Sequence, residues 1–144
     1  MGRFGWMGGV LFLLGWVLMA EGRAQARIGD CPSSPNCVSS RASDASHRIA
    51  PFRFRGPVAE VRDALIAVLE AEGMRVVQRE QDYLRAEAVS RVFRFVDDVE
   101  FEILPEEGSI QVRSASRVGY WDFGVNRRRI ERIRDALRRR GIIE

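Results

Sequence analysis

Two runs of alternating apolar and polar residues constrain the fold of this chain more than any other feature. The first run, F-V-D-D-V-E-F-E-I-L, spans residues 95–104, and the second, S-I-Q-V-R-S-A-S-R-V, spans residues 109–118. Such alternation puts apolar side chains on one face of a strand and polar side chains on the other. Between the runs, Pro105 to Gly108 have turn chemistry, because proline pre-sets φ and glycine accepts a positive φ. The sequence therefore predicts an antiparallel β-hairpin.

The same pattern fixes the register of this hairpin. A turn at residues 105–108 brings Phe101 across from Val112 on the apolar face. It also brings Glu100 across from Arg113 on the polar face. Apolar pairs on one side and opposite charges on the other both stabilise an antiparallel pair of strands.

Asp97 breaks the pattern, because it falls on the apolar face of the predicted hairpin. Ser114 and Ser116 fall on that face too, and Asp97 lies near Ser116. A buried carboxylate is costly unless it is hydrogen-bonded or paired, so we expect bonds from the two serines or from amides of residues 122–126. Two interpretations stay open: a structural cluster beneath a closely packed helix, or the floor of a pocket.

The remaining segments predict elements that cover the hairpin. A helix follows Gly56-Pro57 and stops at Gly73, strands span residues 74–80 and 83–90, and residues 49–55 could add a short edge strand. A last helix begins between residues 122 and 126 and buries Ile130, Ile133 and Leu137. This order predicts an α+β fold, with a four- to five-stranded antiparallel sheet and two helices packed on one face. The other sheet face is charged, and we expect it to be solvated.

Arginine dominates the positive charge of the chain. The 144 residues contain 23 basic side chains, all arginine, and a net charge of only +3, so nucleic-acid binding gains little support. Eight of these arginines lie between residues 127 and 140, where Glu131 and Asp135 are the only acids. They form either a solvated helix face or a surface for an acidic partner or anionic lipid headgroups.

Residues 1–26 predict an export signal rather than part of the fold. Arg3 precedes 17 uncharged residues, 4–20, and Ala24-Gln25-Ala26 has the A-x-A form of a signal-peptidase site. The run is also just long enough for an uncleaved membrane anchor. Either interpretation places the domain outside the cytoplasm, in the periplasm or anchored in the inner membrane.

The two cysteines agree with export. Cys31 and Cys37 bracket a short loop with two prolines, and in an exported protein such a pair is most simply a disulfide. Metal binding or redox chemistry is the alternative, although zinc needs four ligands and His47 is the only histidine. We interpret residues 27–48 as an extended polar arm and residues 49–144 as a domain that folds without the first 48 residues.

Three segments of the sequence resemble the motifs of a known family. They are C-P-S-S-P-N-C-V-S-S at 31–40, F-R-F-V-D-D-V-E-F at 93–101 and R-S-A-S-R-V-G-Y-W-D-F-G-V-N-R-R-R-I-E at 113–131. Together they resemble the domain-of-unknown-function 1499 family, exported bacterial and plastid-type proteins without established activity. The resemblance covers essentially the whole mature chain. It implies that the residues in these segments are candidates for function: Asp97, Asp98, Arg113, Ser114, Ser116, Arg117, Gly119, Tyr120, Asp122, Gly124 and Asn126.

Our hypothesis is a binding module for a small anionic or amphipathic ligand or an envelope partner. Arg117 would supply a fork of donors, and the last helix would supply a positive N-terminus. The alternatives are a purely structural envelope component and an enzyme with Asp97 as base and Ser116 as nucleophile or substrate anchor. We expect no metal, no cofactor and no nucleic acid. The candidate ligand-binding residues are Asp97, Arg113, Ser114, Ser116, Arg117, Tyr120, Asp122 and Asn126.

Overall fold

The computed structural model describes Gly2 and residues 26–144. The predicted signal peptide or anchor thus lies almost wholly outside the described residues. Within those residues no helix is long and apolar enough to cross a membrane. The described elements are β1 (Cys37–Ser39), β2 (Phe52–Arg53), α1 (Val58–Ala71), β3 (Arg75–Arg79), β4 (Tyr83–Val89), β5 (Val96–Leu104), a 3-10 turn (Pro105–Glu107), β6 (Ser109–Ser116) and α2 (Val125–Arg139).

The α+β prediction is confirmed, and the antiparallel sheet has six strands rather than four or five. The strand order is β1-β6-β5-β4-β3, and β2 pairs with the other end of β6. Strands β1 and β2 therefore lie end to end along one edge of β6. The predicted register of the β5–β6 hairpin is confirmed, with Phe101 opposite Val112 and Glu100 opposite Arg113.

Both helices pack on one face of the sheet, as predicted. Their apolar stripes join the inner side chains of β4, β5 and β6 in a single core. The residues that α1 and α2 contribute to it are Val61, Leu65, Val68, Leu69, Ile130, Ile133 and Leu137. Burial of this apolar surface is the main stabilisation of the fold.

The predicted polar arm is not wholly extended and polar, because residues 37–39 form a strand and one of them lies in the core. Residues 37–39 extend the sheet as β1, whose register pairs Val38 with Ser114. Val38 is 5% exposed and belongs to the core. The signal was weak because a three-residue strand with one apolar side chain has no readable period. Within this arm the Cys31–Cys37 disulfide is present, with its Cα atoms 5.8 Å apart.

The outer face of the sheet carries paired charges, as predicted, but it is only partly solvated. Arg113 pairs with Glu100 and Arg75 with Glu87. At the end of the sheet near the β4 start, residues 27–30 cross this face and cover it. Ile28 is 1% exposed there and Glu102 is 5% exposed.

Strand β3 forms the far edge of the sheet. Its ladder with β4 shifts register between Val76 and Gln78, which leaves Val77 out of the regular pairing. A shift of this kind bends a strand and increases its twist.

Candidate functional site

Asp97 lies on the inner face of the sheet, and its partner is an arginine of α2. The Asp97 carboxylate is 2.6 Å from Arg129 Nη2, and both side chains are about nine-tenths buried. Arg129 Nη1 also donates to Ser114 Oγ at 3.1 Å and to Asn126 Oδ1 at 2.8 Å. Burial of the charge is therefore compensated by an ion pair. We predicted serine or amide donors instead, so that part of the prediction is wrong.

Asn126, in the first turn of α2, joins the segments around this ion pair. Its side chain is fully buried, and its Oδ1 accepts from Ser114 Oγ at 2.6 Å. Its Nδ2 lies within donating distance of three acceptors, namely Asn36 O at 3.1 Å, Ser116 Oγ at 3.0 Å and Asp122 Oδ2 at 2.9 Å. One amide thus connects the arm, β6, the β6–α2 loop and Arg129.

The β6–α2 loop holds a bulky residue in an unusual backbone conformation. Asp122 accepts from the amide nitrogens of Gly124 and Asn126, which satisfies the start of α2. In the same loop Phe123 has φ +53° and Gly124 has φ +76°. A left-handed conformation is costly for a phenylalanine, and this side chain is 83% exposed. Such strain persists only where surrounding contacts hold the backbone, and here the hydrogen bonds to Asp122 do so.

An open cavity of about 280 Å³ lies between this loop and the β4–β5 loop. Four polar residues line it: Ser90 is exposed, and we call the other three, Asp97, Ser116 and Asp122, the floor because they are buried or half-buried. Its walls are apolar side chains that project beyond the ends of the strands, and several of them are largely exposed: Phe93, Phe95, Val118, Trp121, Phe123 and Val125. Phe93 and Phe95 stack with ring centroids 5.5 Å apart. The hydrogen-bonded cluster of Asp97, Arg129, Ser114 and Asn126 is therefore buried at Asn126 and faces the cavity at Asp97.

This arrangement is accompanied by a family match over most of the chain. The model of a family described as "Protein of unknown function (DUF1499)" matches residues 27–137. The chain belongs to the DUF1499 family. A comparison with curated proteins finds no match. Membership agrees with the motif residues identified above, and the family's description assigns them no activity.

The structure places two predicted site residues of this DUF1499 protein away from the cavity. Arg113 and Arg117 point to the outer face of the sheet, where Arg113 pairs with Glu100 at 3.0 Å. Arg117 donates to Asp98 and Glu87, and these hydrogen bonds lower the pKa of both carboxyls. The prediction that Arg117 offers free donors to a ligand in this site is wrong, because alternation along β6 turns it away from Asp97.

The other predicted residues fall into three positions. Asp97, Ser116 and Asp122 line the cavity, and Gly119 lies in its rim. Ser114 and Asn126 are fully buried behind it. Tyr120 is 59% exposed and contacts Trp121 edge-on, with ring centroids 5.4 Å apart, outside the cavity lining.

Sequence reasoning missed Arg129 and Asn36. The sequence analysis treats Arg129 as one of eight arginines that form either a solvated face of the last helix or a surface for an acidic partner or anionic lipid headgroups. Arg129 precedes Ile133 by four residues and so shares the buried stripe. Asn36 accepts from Asn126 Nδ2 through its carbonyl and donates from its own side chain to Gly119 O at 2.7 Å. The signal for Asn36 was its place in the C-P-S-S-P-N-C segment.

Two larger grooves lie elsewhere on the surface. One of about 520 Å³, between α1 and the β3–β4 turn, has charged side chains that are already paired, such as Arg62 with Asp63 at 3.0 Å. The other, of about 380 Å³, lies on the opposite side of the Trp121–Phe123 loop, next to Cys37 and Arg127. Arg127 there donates to backbone carbonyls. The cavity at Asp97 combines apolar walls with convergent polar groups, as small-molecule sites do.

Proposed function

We propose that this DUF1499 protein is an exported binding module that holds a small amphipathic molecule in the cavity at Asp97. The observation that carries the proposal is the contrast between the walls and the floor of the cavity. Apolar side chains that would otherwise face water surround a floor of two carboxylates and a hydroxyl. Exposed apolar surface concentrated at one place on a domain is typical of an interaction site.

The walls favour an apolar ligand body of limited size. Phe93, Trp121 and Phe123 are 73%, 68% and 83% exposed, so each retains surface that a ligand can cover. Covering apolar surface contributes roughly 25 cal/mol per Å² before the cost of ordering. A volume of about 280 Å³ suits one ring system or a short chain rather than a large lipid.

The floor favours a ligand end that donates hydrogen bonds. Asp97 Oδ2 is bound to Arg129, and Asp97 faces the cavity beside Ser116. The arginines that would have attracted an anion, Arg113 and Arg117, are paired on the other face of the sheet. We therefore propose a neutral or cationic amphipathic ligand, with a hydroxyl or amine group at Asp97, ahead of an anionic one.

Catalysis receives less support from the same geometry. A nucleophilic serine needs a base within hydrogen-bonding distance. Among the described residues Ser116 Oγ is bonded to the Asn126 amide, which donates to it and is not a base. The Asp97 carboxylate is directed to Arg129 instead.

Export is the second part of the proposal. The uncharged run at residues 4–20, the A-x-A sequence at 24–26 and the Cys31–Cys37 disulfide all support it. Disulfides persist in oxidising compartments such as the periplasm.

Titration with a neutral fluorescent amphiphile, N-phenyl-1-naphthylamine, tests the binding proposal. We expect saturable binding, and tighter binding than that of the anionic probe 1-anilinonaphthalene-8-sulfonate. Val118→Asp should weaken it about tenfold or more, because an unpaired carboxylate in the apolar wall costs more than about 1.4 kcal/mol. Val118 is 55% exposed, so the fold should tolerate the change.

The matched control is Val77→Asp, on the distant edge strand at 36% exposure. It should leave probe binding unchanged. Equal affinity in the Val118 variant, or an equal loss in both variants, would contradict the cavity as the site. Native mass spectrometry of protein purified from its own envelope should reveal a bound small molecule that Val118→Asp releases.

A further inference from the structure

Glu102 is a buried acid whose partners are incomplete. Its side chain is 6% exposed, and its Oε1 accepts from the backbone nitrogen of Arg27 at 3.1 Å. Its Oε2 is buried without a hydrogen-bond partner in the described part of the chain. The Arg41 guanidinium stands 3.7 Å from that oxygen, too far for a hydrogen bond. A buried acceptor left in this state is costly.

The chain on the C-terminal side of that nitrogen is held firmly. Ile28 is 1% exposed, and Gly29 O accepts from Ser39 Oγ at 2.8 Å. The Arg27 guanidinium lies 4.0 Å above the centre of the Tyr83 ring and forms an ion pair with Glu80. Contacts of residues 27–29 therefore hold the backbone nitrogen of Arg27 next to Glu102.

Two independent boundaries fall at the same residue. The A-x-A sequence at 24–26 places a signal-peptidase cut between Ala26 and Arg27. The DUF1499 family match begins at Arg27. Ala26 and Arg27 are both exposed, so the bond between them is accessible.

We propose that Glu102 is the binding site for the N-terminal ammonium group that cleavage after Ala26 creates. Hydrolysis adds one water across the Ala26–Arg27 bond, leaving a carboxylate on Ala26 and an amine, protonated at neutral pH, on Arg27. The single amide N–H becomes a group with three donors and a positive charge. It can bond both oxygens of Glu102, so processing supplies the partner that Oε2 lacks. The domain would then be complete only in the processed chain.

The composition of the chain makes this proposal directly testable. The sequence contains no lysine, so the α-amino group is the only primary amine in the protein. The full 144-residue chain would be produced with export to a bacterial envelope, and its intact mass measured. We expect a chain that begins at Arg27. Trace acetylation of this amine with isotope-labelled acetic anhydride, measured as a function of pH, then reports the pKa of the one amine in its unmodified state.

The charged and titratable groups around the amine are Glu102, Arg41, Glu80, Tyr83 and the Arg27 guanidinium. A buried carboxylate partner should raise the pKa of the α-amino group by about 1 from its ordinary value near 7.7–8.0. We expect this increase in folded wild-type protein and not in the same protein unfolded in urea. Glu102→Gln should remove most of the increase, and Glu106→Gln, an exposed acid of the 3-10 turn, should not.

Three results would overturn the proposal. The purified chain could begin at a residue other than Arg27. The pKa of its amine could be the same in the folded and unfolded protein, a comparison that needs no variant and so holds even if Glu102→Gln does not fold. Finally, the increase could survive unchanged in Glu102→Gln. The test does not use the cavity at Asp97, so its outcome is independent of the ligand-binding proposal.

Discussion

Removal of the Asp97 carboxylate should destabilise the protein strongly, because it leaves the Arg129 guanidinium buried without its ion-pair partner. The two side chains are 11% and 8% exposed, so water screens the pair little. Loss of one partner of such a pair costs about 3–5 kcal/mol. Arg129 keeps its hydrogen bonds to Ser114 and Asn126, which places Asp97→Ala toward the lower end of that range. Asp97→Asn keeps an acceptor oxygen and should cost about 1–3 kcal/mol.

Urea denaturation followed by circular dichroism measures these values. Asp98→Ala is the matched control: the adjacent aspartate lies on the outer face with its side chain 24% exposed, and its arginine partners Arg85 and Arg117 are 35% and 42% exposed, so its removal should cost about 1–2 kcal/mol. The double variant Asp97→Ala/Arg129→Met should be more stable than Asp97→Ala alone, since no unpaired charge remains. Equal free energies of unfolding for Asp97→Ala and Asp98→Ala would refute the reasoning. Stabilisation by Asp97→Asn would instead indicate a carboxylate retained for function.

Two further predictions concern the arm and the response to acid. A chain of residues 49–144 should lack the cooperative melting transition of residues 27–144, because it loses β1, Val38 and the Asn36 hydrogen bonds. A similar melting temperature for the two chains would contradict this prediction. The hydrogen bonds from Arg27 lower the pKa of Glu80 to about 2, below the ordinary 4.5. The contribution of the ionised Glu80 to stability is therefore present above pH 4.5 and is lost as the pH falls toward 2. The difference in free energy of unfolding between wild type and Glu80→Gln should therefore shrink over that range. Urea denaturation at pH 7, 4 and 3 measures this difference, and a constant value would contradict the prediction.

The sequence predicts the parts of this fold that depend on short-range periodicity. Alternation through β5 and β6, with a proline–glycine turn between them, determines the register, since a slip of one residue would turn every apolar side chain outward. The same register places Asp97 opposite Ser116. Two of the three floor residues, Asp97 and Ser116, follow from that pairing alone.

The remaining parts depend on tertiary contacts that no local pattern encodes. Eight arginines of similar appearance lie in and next to α2, and two of them, Arg129 and Arg134, are buried. Each lies four residues from an isoleucine of the buried stripe, Ile133 or Ile130. Strand β1 forms because β6 offers it an edge, not because three residues have strand propensity. The cavity walls depend on loop conformations such as the positive φ of Phe123, which composition does not predict for a phenylalanine.

The register shift in β3 bears on how the protein behaves when it is concentrated. Within the described chain β3 has a neighbouring strand on one side only, and an unpaired edge of this kind can recruit a strand from another molecule. The displaced Val77 interrupts the row of amides and carbonyls that such a strand would need, and Arg75 and Arg79 add charge of one sign along it. The opposite edge of the sheet is formed by two short strands, β1 and β2, which pair with the two ends of β6. Neither edge offers an uninterrupted template, so the sheet is protected against growth into fibrils through its own strands.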